Sequence, residues 1–335
     1  MLRVFPWQET QWQQLQLATR NNRLPHALLL SGPRGIGLEH FSQCISAGLL
    51  CRSPVESIYS CGQCKACHLH KSGNHPDVQS IKPEEEGKQI KIDQIRELID
   101  FMNLKSQYEG YKIAIINPSD NMNWNAANTL LKTLEEPPAQ SLLILLSHRP
   151  DRLPVTVRSR CQHIYFQSVF DESAVNWLKD HLTDPKQAEQ LLAMANGAPL
   201  AALELVQNKN MDKQKMLLDD LELLQRKQID PIKVAERWNK SDANQMLQWL
   251  SLLISDMVRL KSSARPLRLH EADVITRLQR LINGLDLCNL IMCHDLALKN
   301  YSLGTGHISY NSQGLLEDFI IFWQGLNNQQ RGQYT

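Results

Sequence analysis

A helix, a buried strand and a turn with two arginines follow one another in residues 126–161, AANTLLKTLEEPPAQSLLILLSHRPDRLPVTVRSRC. Leucines recur at helical spacing up to Leu134. The helix must end before Pro137 and Pro138, because proline lacks an N–H and forces the preceding residue out of the α region. The unbroken apolar run 142–146 predicts a strand buried on both faces of a parallel sheet. This segment therefore predicts an α/β fold, since a helix leads directly into a fully buried strand.

Apolar runs of strand length alternate with helical periodicity from residue 26 to residue 165. Such alternation is typical of an α/β domain with a mainly parallel sheet. The predicted strands are 26–30, 77–81, 111–116 and 142–146, and the predicted helices before the central segment are 6–20, 41–50 and 92–104.

Strand signals vanish after Phe170, and the rest of the chain has only helical patterns. Three segments between residues 171 and 206 predict a small helical lid, with Asn196-Gly197 as a helix stop. The leucine-rich remainder predicts an all-helical domain, and 335 residues of 42% hydrophobic composition suffice for two or three cores. We expect an α/β domain at 1–168, a helical lid at 169–208 and a helical domain at 209–335.

A glycine-rich turn containing Gly32, Gly35 and Gly37 lies between the first strand and the next helix, which is the setting of a phosphate-binding loop. A working loop ends in Gly-Lys-Ser/Thr, whose lysine bridges the phosphates and whose hydroxyl holds magnesium. Here Leu38 and Glu39 follow Gly37, so the positively charged lysine is missing and the Glu39 carboxylate would face the phosphate. We interpret these five residues as a degenerate loop without productive ATP binding. A tight turn that serves only the fold is the alternative.

Four of the eight cysteines lie close together in the sequence, at Cys51, Cys61, Cys64 and Cys67. Their spacing can close a tetrahedral Cys₄ zinc site, because thiolates are soft ligands and the intervening loop brings Cys51 back. Four protein ligands leave no position for water, so such a zinc ion would be structural. Unrelated buried cysteines are the alternative, and an iron–sulfur cluster fits less well because no further Cys-Pro follows. His68, His70 and His75 are possible substitute ligands that we expect to lie in solvent.

The charge balance excludes strong non-specific attraction to polyanions. The net charge is +1, from 36 Lys and Arg against 35 Asp and Glu, so any DNA contact must be local. The modest basic loop Lys261–Arg268 is expected in solvent.

No signal core follows the first residues, and no run approaches the roughly 18 apolar residues that span a bilayer. Together with the cysteine usage, this predicts a soluble cytoplasmic protein.

LLKTLEEPP at residues 130–138 and SRC at residues 159–161 closely resemble the clamp-loader branch of the AAA+ proteins, and the resemblance extends over essentially the whole chain. It implies an AAA+ α/β domain with an inserted zinc module at 51–67, a helical lid, and a collar domain through which subunits join in a ring of five. By motif position, it identifies Arg160 as the arginine that reaches, in trans, the γ-phosphate of ATP on a neighbouring subunit. Arg158 is a supporting candidate for an ion pair or a DNA phosphate.

Two further parts of an ATP site are missing when the chain is compared with this family. The family's acidic pair falls on Asn117 and Pro118, neither of which can hold magnesium. Asp120 lies too far along the chain, where we expect it to begin the next helix, with Ser119 or Asn121 as competing caps. Family members that hydrolyse ATP carry an arginine at the start of the third lid helix, and residues 198–202 contain none. The resemblance thus implies a subunit that binds no ATP productively and serves as a scaffold for Arg160.

The partners that the resemblance implies are gamma or tau and delta subunits, and, through the complex, a sliding clamp and primed DNA at a replicative polymerase. Two alternatives remain open. An active AAA+ ATPase with an unusual phosphate loop is opposed by Leu38. A zinc-dependent nucleic-acid-binding protein would need a basic, aromatic surface, yet only Lys65, Lys71 and Tyr59 lie near the cysteines in the sequence.

Overall fold

The computed structural model describes residues 2–55, 58–85, 88–108, 110–207, 210–262, 272–304 and 310–326. The chain forms two compact units, of which the first comprises Met1–His181 and Gly197–Ala201, and the second Leu182–Asn196 and Ala202–Thr335. Residues 169–208, predicted as a lid, are thus divided between the units, and the three-domain division stays a prediction. Most of the predicted basic loop, residues 263–268, lies outside the described residues.

The first unit is built on a five-stranded sheet in which every neighbouring pair is parallel, in the order β2-β3-β4-β1-β5. The central strands are buried at every position because helices cover both faces of the sheet, which explains their continuous apolar runs. The strands are β1 Ala27–Ser31, β2 Val78–Ile81, β3 Lys112–Ile116, β4 Ser141–Ser147 and β5 Gln162–Tyr165.

Helices pack against both faces of this sheet and produce two apolar cores. One core contains Trp12, Phe41 and Phe166, and the other contains Ile95 and Leu130. The helices of this unit are α1 Glu9–Arg20, α2 Leu38–Leu50, α3 Lys65–Lys71, α4 Ile92–Asn103, α5 Trp124–Thr129, α6 Leu131–Glu135, α7 Val155–Arg158 and α8 Glu172–His181. Short 3₁₀ turns cover Pro6–Gln8, Ser119–Asn121 and Pro150–Arg152.

The predicted end of the central helix is confirmed, since α6 ends at Glu135, before the two prolines. The expectation that Asp120 begins the next helix is wrong. Asn123 caps α5 instead, because its side-chain oxygen accepts a hydrogen bond from the Ala126 N–H at 2.8 Å. The Asp120 carboxylate accepts from the His148 N–H at 3.2 Å and so joins the carboxyl ends of β3 and β4.

The described residues of the second unit are helical, and the core of this unit lies around one long helix. That helix is α12, which is interrupted at Asp242 (φ 139°) and packs against α14 and α15. Trp238, Phe319 and Trp323 are fully buried in this core. The helices are α9 Ala188–Met194, α10 Pro199–Gln207, whose first residues belong to the first unit, α11 Asn210–Gln225, α12 Pro231–Lys261, α13 Ala272–Ile282, α14 Leu287–Gly304 and α15 Ser312–Gly325.

The predicted fold class is confirmed at the level of its architecture: an α/β part with a mainly parallel sheet is followed by a helical C-terminal region. In the described part of the chain, no single helix has the length and apolar composition to cross a membrane, although the bent pair Val274–Ile282 and Leu287–Gly304 would pass that test jointly.

Candidate functional site

The degenerate phosphate loop has the backbone path that the sequence predicts. β1 ends at Ser31, the chain turns at Gly35 and Gly37, and α2 begins at Leu38. Both glycines have positive φ, at 83° and 94°, a region that other residues avoid because of their Cβ. The chain therefore turns tightly at two glycines between β1 and α2, a geometry that fits both a degenerate phosphate-binding loop and a turn that serves only the fold.

The chain's own side chains and backbone cover this loop. The Trp7 indole and the buried Gln8 amide both donate to the Ile36 carbonyl at 3.0 Å, and Gln8 also donates to the Gly37 carbonyl at 3.1 Å. On another side, the Leu200 N–H donates to the Gly35 carbonyl at 3.0 Å. A Cβ built on Gly35 would lie only 2.5 Å from the Ala201 Cβ. The start of α10 thus lies directly on the loop.

Two residues that the sequence comparison assigns to the magnesium-binding positions form a hydrogen bond with each other. Glu39 replaces the hydroxyl residue and Asn117 replaces an acidic residue, and the Asn117 amide donates to the Glu39 carboxylate at 3.1 Å. Lys82 donates to the other oxygen of the same carboxylate at 2.6 Å. Glu39 lies in the first turn of α2, where the helix dipole favours a negative charge. A carboxylate of the chain, already paired with Lys82 and Asn117, therefore lies in the first turn of this helix.

Arg160 lies at the surface, in contact with the end of α6. Its Nη2 donates to Glu135 Oε1 at 2.5 Å, and its Nη1 donates to the Thr156 carbonyl at 3.0 Å. The Arg160 side chain is 36% exposed, and the Glu135 side chain is 52% exposed. The structure therefore brings the two motifs LLKTLEEPP and SRC together, with the guanidinium accessible between them.

The turn that carries Arg160 is anchored by its apolar neighbours. Val157 is fully buried, and half-buried Cys161 packs against the same core. Arg158 is half-buried, and its Nε has no hydrogen-bond partner among the described residues. Partial burial and the nearby Arg158 charge lower the pKa of His163 below its usual value. Arg158 is therefore held closer to the body of the unit than Arg160 is.

Arg160 and the phosphate loop lie at opposite ends of the parallel sheet. In the pairing of β5 with β1, Gln162 lies opposite Leu28. Arg160 comes two residues before Gln162, whereas Gly32 follows Leu28 by four. Six residues of extended chain span about 20 Å, although Arg160, Cys161 and Gly32 lie just outside the two strands. Arg160 therefore lies toward the end of the sheet opposite the chain's own loop.

The four clustered cysteines bring their sulfurs together. All four Sγ atoms lie within 4.8 Å of one another, and three of the distances are 3.5 Å (Cys64 to Cys67), 3.9 Å (Cys61 to Cys67) and 4.0 Å (Cys51 to Cys64). A tetrahedral zinc ion with bonds of about 2.3 Å separates its sulfurs by about 3.8 Å. The group can therefore hold one metal ion of zinc's size.

Local backbone contacts hold this cluster in place. Val55 and Tyr59 form an antiparallel bridge, and the Cys61 N–H donates to the Cys51 Sγ at 3.2 Å, so the chain returns to Cys51. N–H groups of Gln63 and Cys64 lower the pKa of the Cys61 thiol to about 6, which favours the thiolate that a metal needs. The module lies directly on α2, since a Cβ on Gly48 would come within 1.7 Å of the Ile58 carbonyl oxygen.

The histidines beside the cluster do not all lie in solvent, as the sequence suggested. His68 is exposed, but His75 is 4% exposed and its Nδ1 accepts a hydrogen bond from the Asp77 N–H at 3.1 Å. His70 is half-buried, and burial together with the His75 charge lowers its pKa to about 4. Neither belongs to the group of four thiols, and both pack as part of the unit's interior.

Several residues of this arrangement were not singled out from the sequence. The sequence places Glu135 only within LLKTLEEPP, and Trp7 and Gln8 only within the predicted helix 6–20. Lys82 lies just after the predicted strand 77–81 and has no signal of its own. Their partners lie 25 to 43 residues away in the sequence, and no local pattern indicates such contacts. For Glu135, its place in a recognisable motif was the available signal.

Comparison with known proteins places the chain in a family. Residues 7–170 match the model described as DNA polymerase III, delta subunit, and residues 208–325 match DNA polymerase III, delta subunit, C terminal. The chain is 33% identical over 328 residues to DNA polymerase III subunit delta' of Pseudomonas aeruginosa, covering 97% of this chain and 99% of the relative. It is 32% identical over 259 residues to the subunit of the same name from Escherichia coli K12, covering 77% of each chain.

A shorter match relates about half of the chain to a DNA polymerase III subunit of another name. Over 163 residues the chain is 32% identical to DNA polymerase III subunit tau/gamma of Haemophilus influenzae, covering 49% of this chain and 23% of that protein. Two DNA polymerase III family models match the chain, and a delta' subunit is 33% identical to it over 97% of its length. This chain therefore belongs to the family of DNA polymerase III delta-prime subunits.

Proposed function

We propose that this chain is a clamp-loader subunit that does not hydrolyse ATP and instead completes the ATP site of a neighbouring gamma or tau subunit with Arg160. In that role the guanidinium stabilises the charge on the transferring γ-phosphoryl group, while the rest of the chain fixes its position. The assembled complex then uses ATP to open a sliding clamp and place it on primed DNA.

One observation carries the proposal: Arg160 is exposed at the end of the sheet opposite the chain's own phosphate loop. An arginine so placed would act on a nucleotide held by another subunit. The covering of the loop by Gln8 and Ala201, and the pairing of Glu39 with Asn117 and Lys82, support the absence of a working site in the chain itself.

The partners follow from family membership. The match of a tau/gamma subunit to 49% of this chain supports neighbours of related sequence. We propose gamma or tau and delta subunits as neighbours in a five-subunit ring, with the helical second unit as the collar. The proposed setting is the cytoplasm, where the replication machinery of a bacterium works.

The proposed metal is zinc in a structural role. Cys51, Cys61, Cys64 and Cys67 would hold it, and when bound it would supply four fixed bonds that close the loop on α2. With all four ligands from the protein, no position is left for a reacting water. The zinc module at 51–67 would then make the unit that carries Arg160 more rigid.

The isolated chain should bind no ATP, even after partial repair of its loop. We expect Leu38→Lys with Glu39→Thr to gain no measurable affinity, because the acidic pair is still missing and Ala201 still covers Gly35. Isothermal titration calorimetry with Mg·ATP up to millimolar concentration would measure this, with a gamma or tau subunit as positive control. Magnesium-dependent binding by the natural chain with a Kd below about 100 µM would contradict the proposal.

A further inference from the structure

The contact between Arg160 and Glu135 joins two segments whose backbones are fixed independently. Glu135 ends α6, and the carbonyl of the preceding Leu134 bonds to the His26 ring nitrogen at 3.0 Å, next to the start of β1. Arg160 follows α7, which is anchored by buried Val157. Through Glu135, the guanidinium position is therefore set relative to the parallel sheet rather than by the turn alone.

The same geometry leaves the arginine able to bind a phosphoryl group. A guanidinium has five N–H donors, and the Glu135 carboxylate and the Thr156 carbonyl each take one. Arg160 has no other partner among the described residues, so three donors remain for another anion. Two contacts to different acceptors fix the plane of the guanidinium, whereas a free arginine side chain samples many rotamers.

We propose that Glu135 is the positioning residue of the Arg160 finger: its carboxylate aligns the guanidinium before a neighbouring subunit's ATP arrives and stays in place during hydrolysis. This inference rests on the proposed function of Arg160. The opposite charges of Arg160 and Glu135 largely cancel at a distance, so we expect Glu135 to change the affinity for ATP little. Its effect should instead be on the rate of the chemical step, which depends on the orientation of the guanidinium. An exposed ion pair is weak enough that the effect should be a few-fold and not a loss of activity.

The test uses the reconstituted clamp loader with ATP already bound, followed in a single turnover. The fraction of hydrolysis that disappears in Arg160→Ala defines the Arg160-dependent phase. Glu135→Ala should slow this phase about five-fold without changing its amplitude, the affinity for ATP, or the melting temperature of the chain. Glu135→Gln should recover part of the rate, because its amide oxygen can still accept from the guanidinium.

Two controls separate positioning from other effects. Glu136→Ala removes the adjacent exposed carboxylate, which does not contact Arg160, and should leave the phase unchanged. In the Arg160→Ala background, adding Glu135→Ala should have no further effect.

Two other outcomes separate a failure of the Glu135 role from a failure of the proposed function. If Arg160→Ala slows hydrolysis but Glu135→Ala behaves like Glu136→Ala or accelerates the phase, the positioning role is wrong and the proposed function stands. If Arg160→Ala itself changes nothing, the proposed function fails and the role of Glu135 fails with it.

Discussion

Replacing Arg160 with alanine should slow hydrolysis at the ATP site that faces it by about 10³–10⁵-fold, the range over which arginine fingers act in phosphoryl transfer. The reason is electrostatic: the transition state spreads charge over the γ-phosphoryl oxygens, and a guanidinium in a preorganised position stabilises it without reorganisation of solvent. Because Arg160 is exposed and its ion pair with Glu135 is a surface contact, the substitution should leave the fold and the assembly intact.

Single-turnover hydrolysis by the reconstituted complex would measure this effect. Only the site that faces this chain should lose its fast phase, and a slow phase of equal amplitude should replace it. Arg160→Lys should restore little, since a lysine keeps the charge but not the planar fork of donors. Arg96→Ala is a matched control, because Arg96 forms a comparable exposed ion pair with Asp93 on α4. Equal rates for Arg160→Ala and Arg96→Ala would refute the trans-acting role.

Much of the fold could be predicted because its signals are local. β1 and β4 are apolar at nearly every position, since strands in the middle of a covered parallel sheet have no solvent face. Helix α4 has a clear apolar face that includes Ile95 and Leu98. The end of α6 follows from the chemistry of proline. The gathering of the four cysteines followed from thiolate spacing alone.

The parts that escaped prediction depend on contacts distant in sequence. β5 lies at the edge of the sheet and buries only Ile164, so it has no apolar run to reveal it. Asp120 and Asn123 are equally good caps by residue type, and the tertiary contact of Asp120 with His148 decides between them. The side chains that cover the phosphate loop, and the partner of Arg160, are likewise fixed only when the chain has folded.

Zinc removal should destabilise the first unit strongly. Structural zinc sites in small peptides contribute about 10–16 kcal/mol at pH 7, as much as the whole stability of a typical domain. Here the module rests on a large core, so only part of that energy would be lost. Even about 3 kcal/mol would lower the Tm of a unit of this size by about 6–12 °C. The loop around Val55–Tyr59 should then become accessible to protease, since the metal would fasten both of its ends.

Elemental analysis and thermal melting of Cys64→Ser would measure both consequences. We expect one zinc ion for each natural chain, a reduced zinc content for Cys64→Ser after dialysis against a chelator, and a Tm lowered by the amount above, because three thiolates need a water to complete the tetrahedron and hold zinc less tightly than four. Cys288→Ser is the matched control: this cysteine is exposed on α14 of the second unit and does not belong to the group of four, so its loss should change neither zinc content nor Tm. A natural chain purified without metal and equally stable in a chelator would show that thiol packing alone holds the module. The rigidity that Arg160 needs would then come from the sheet and its two cores.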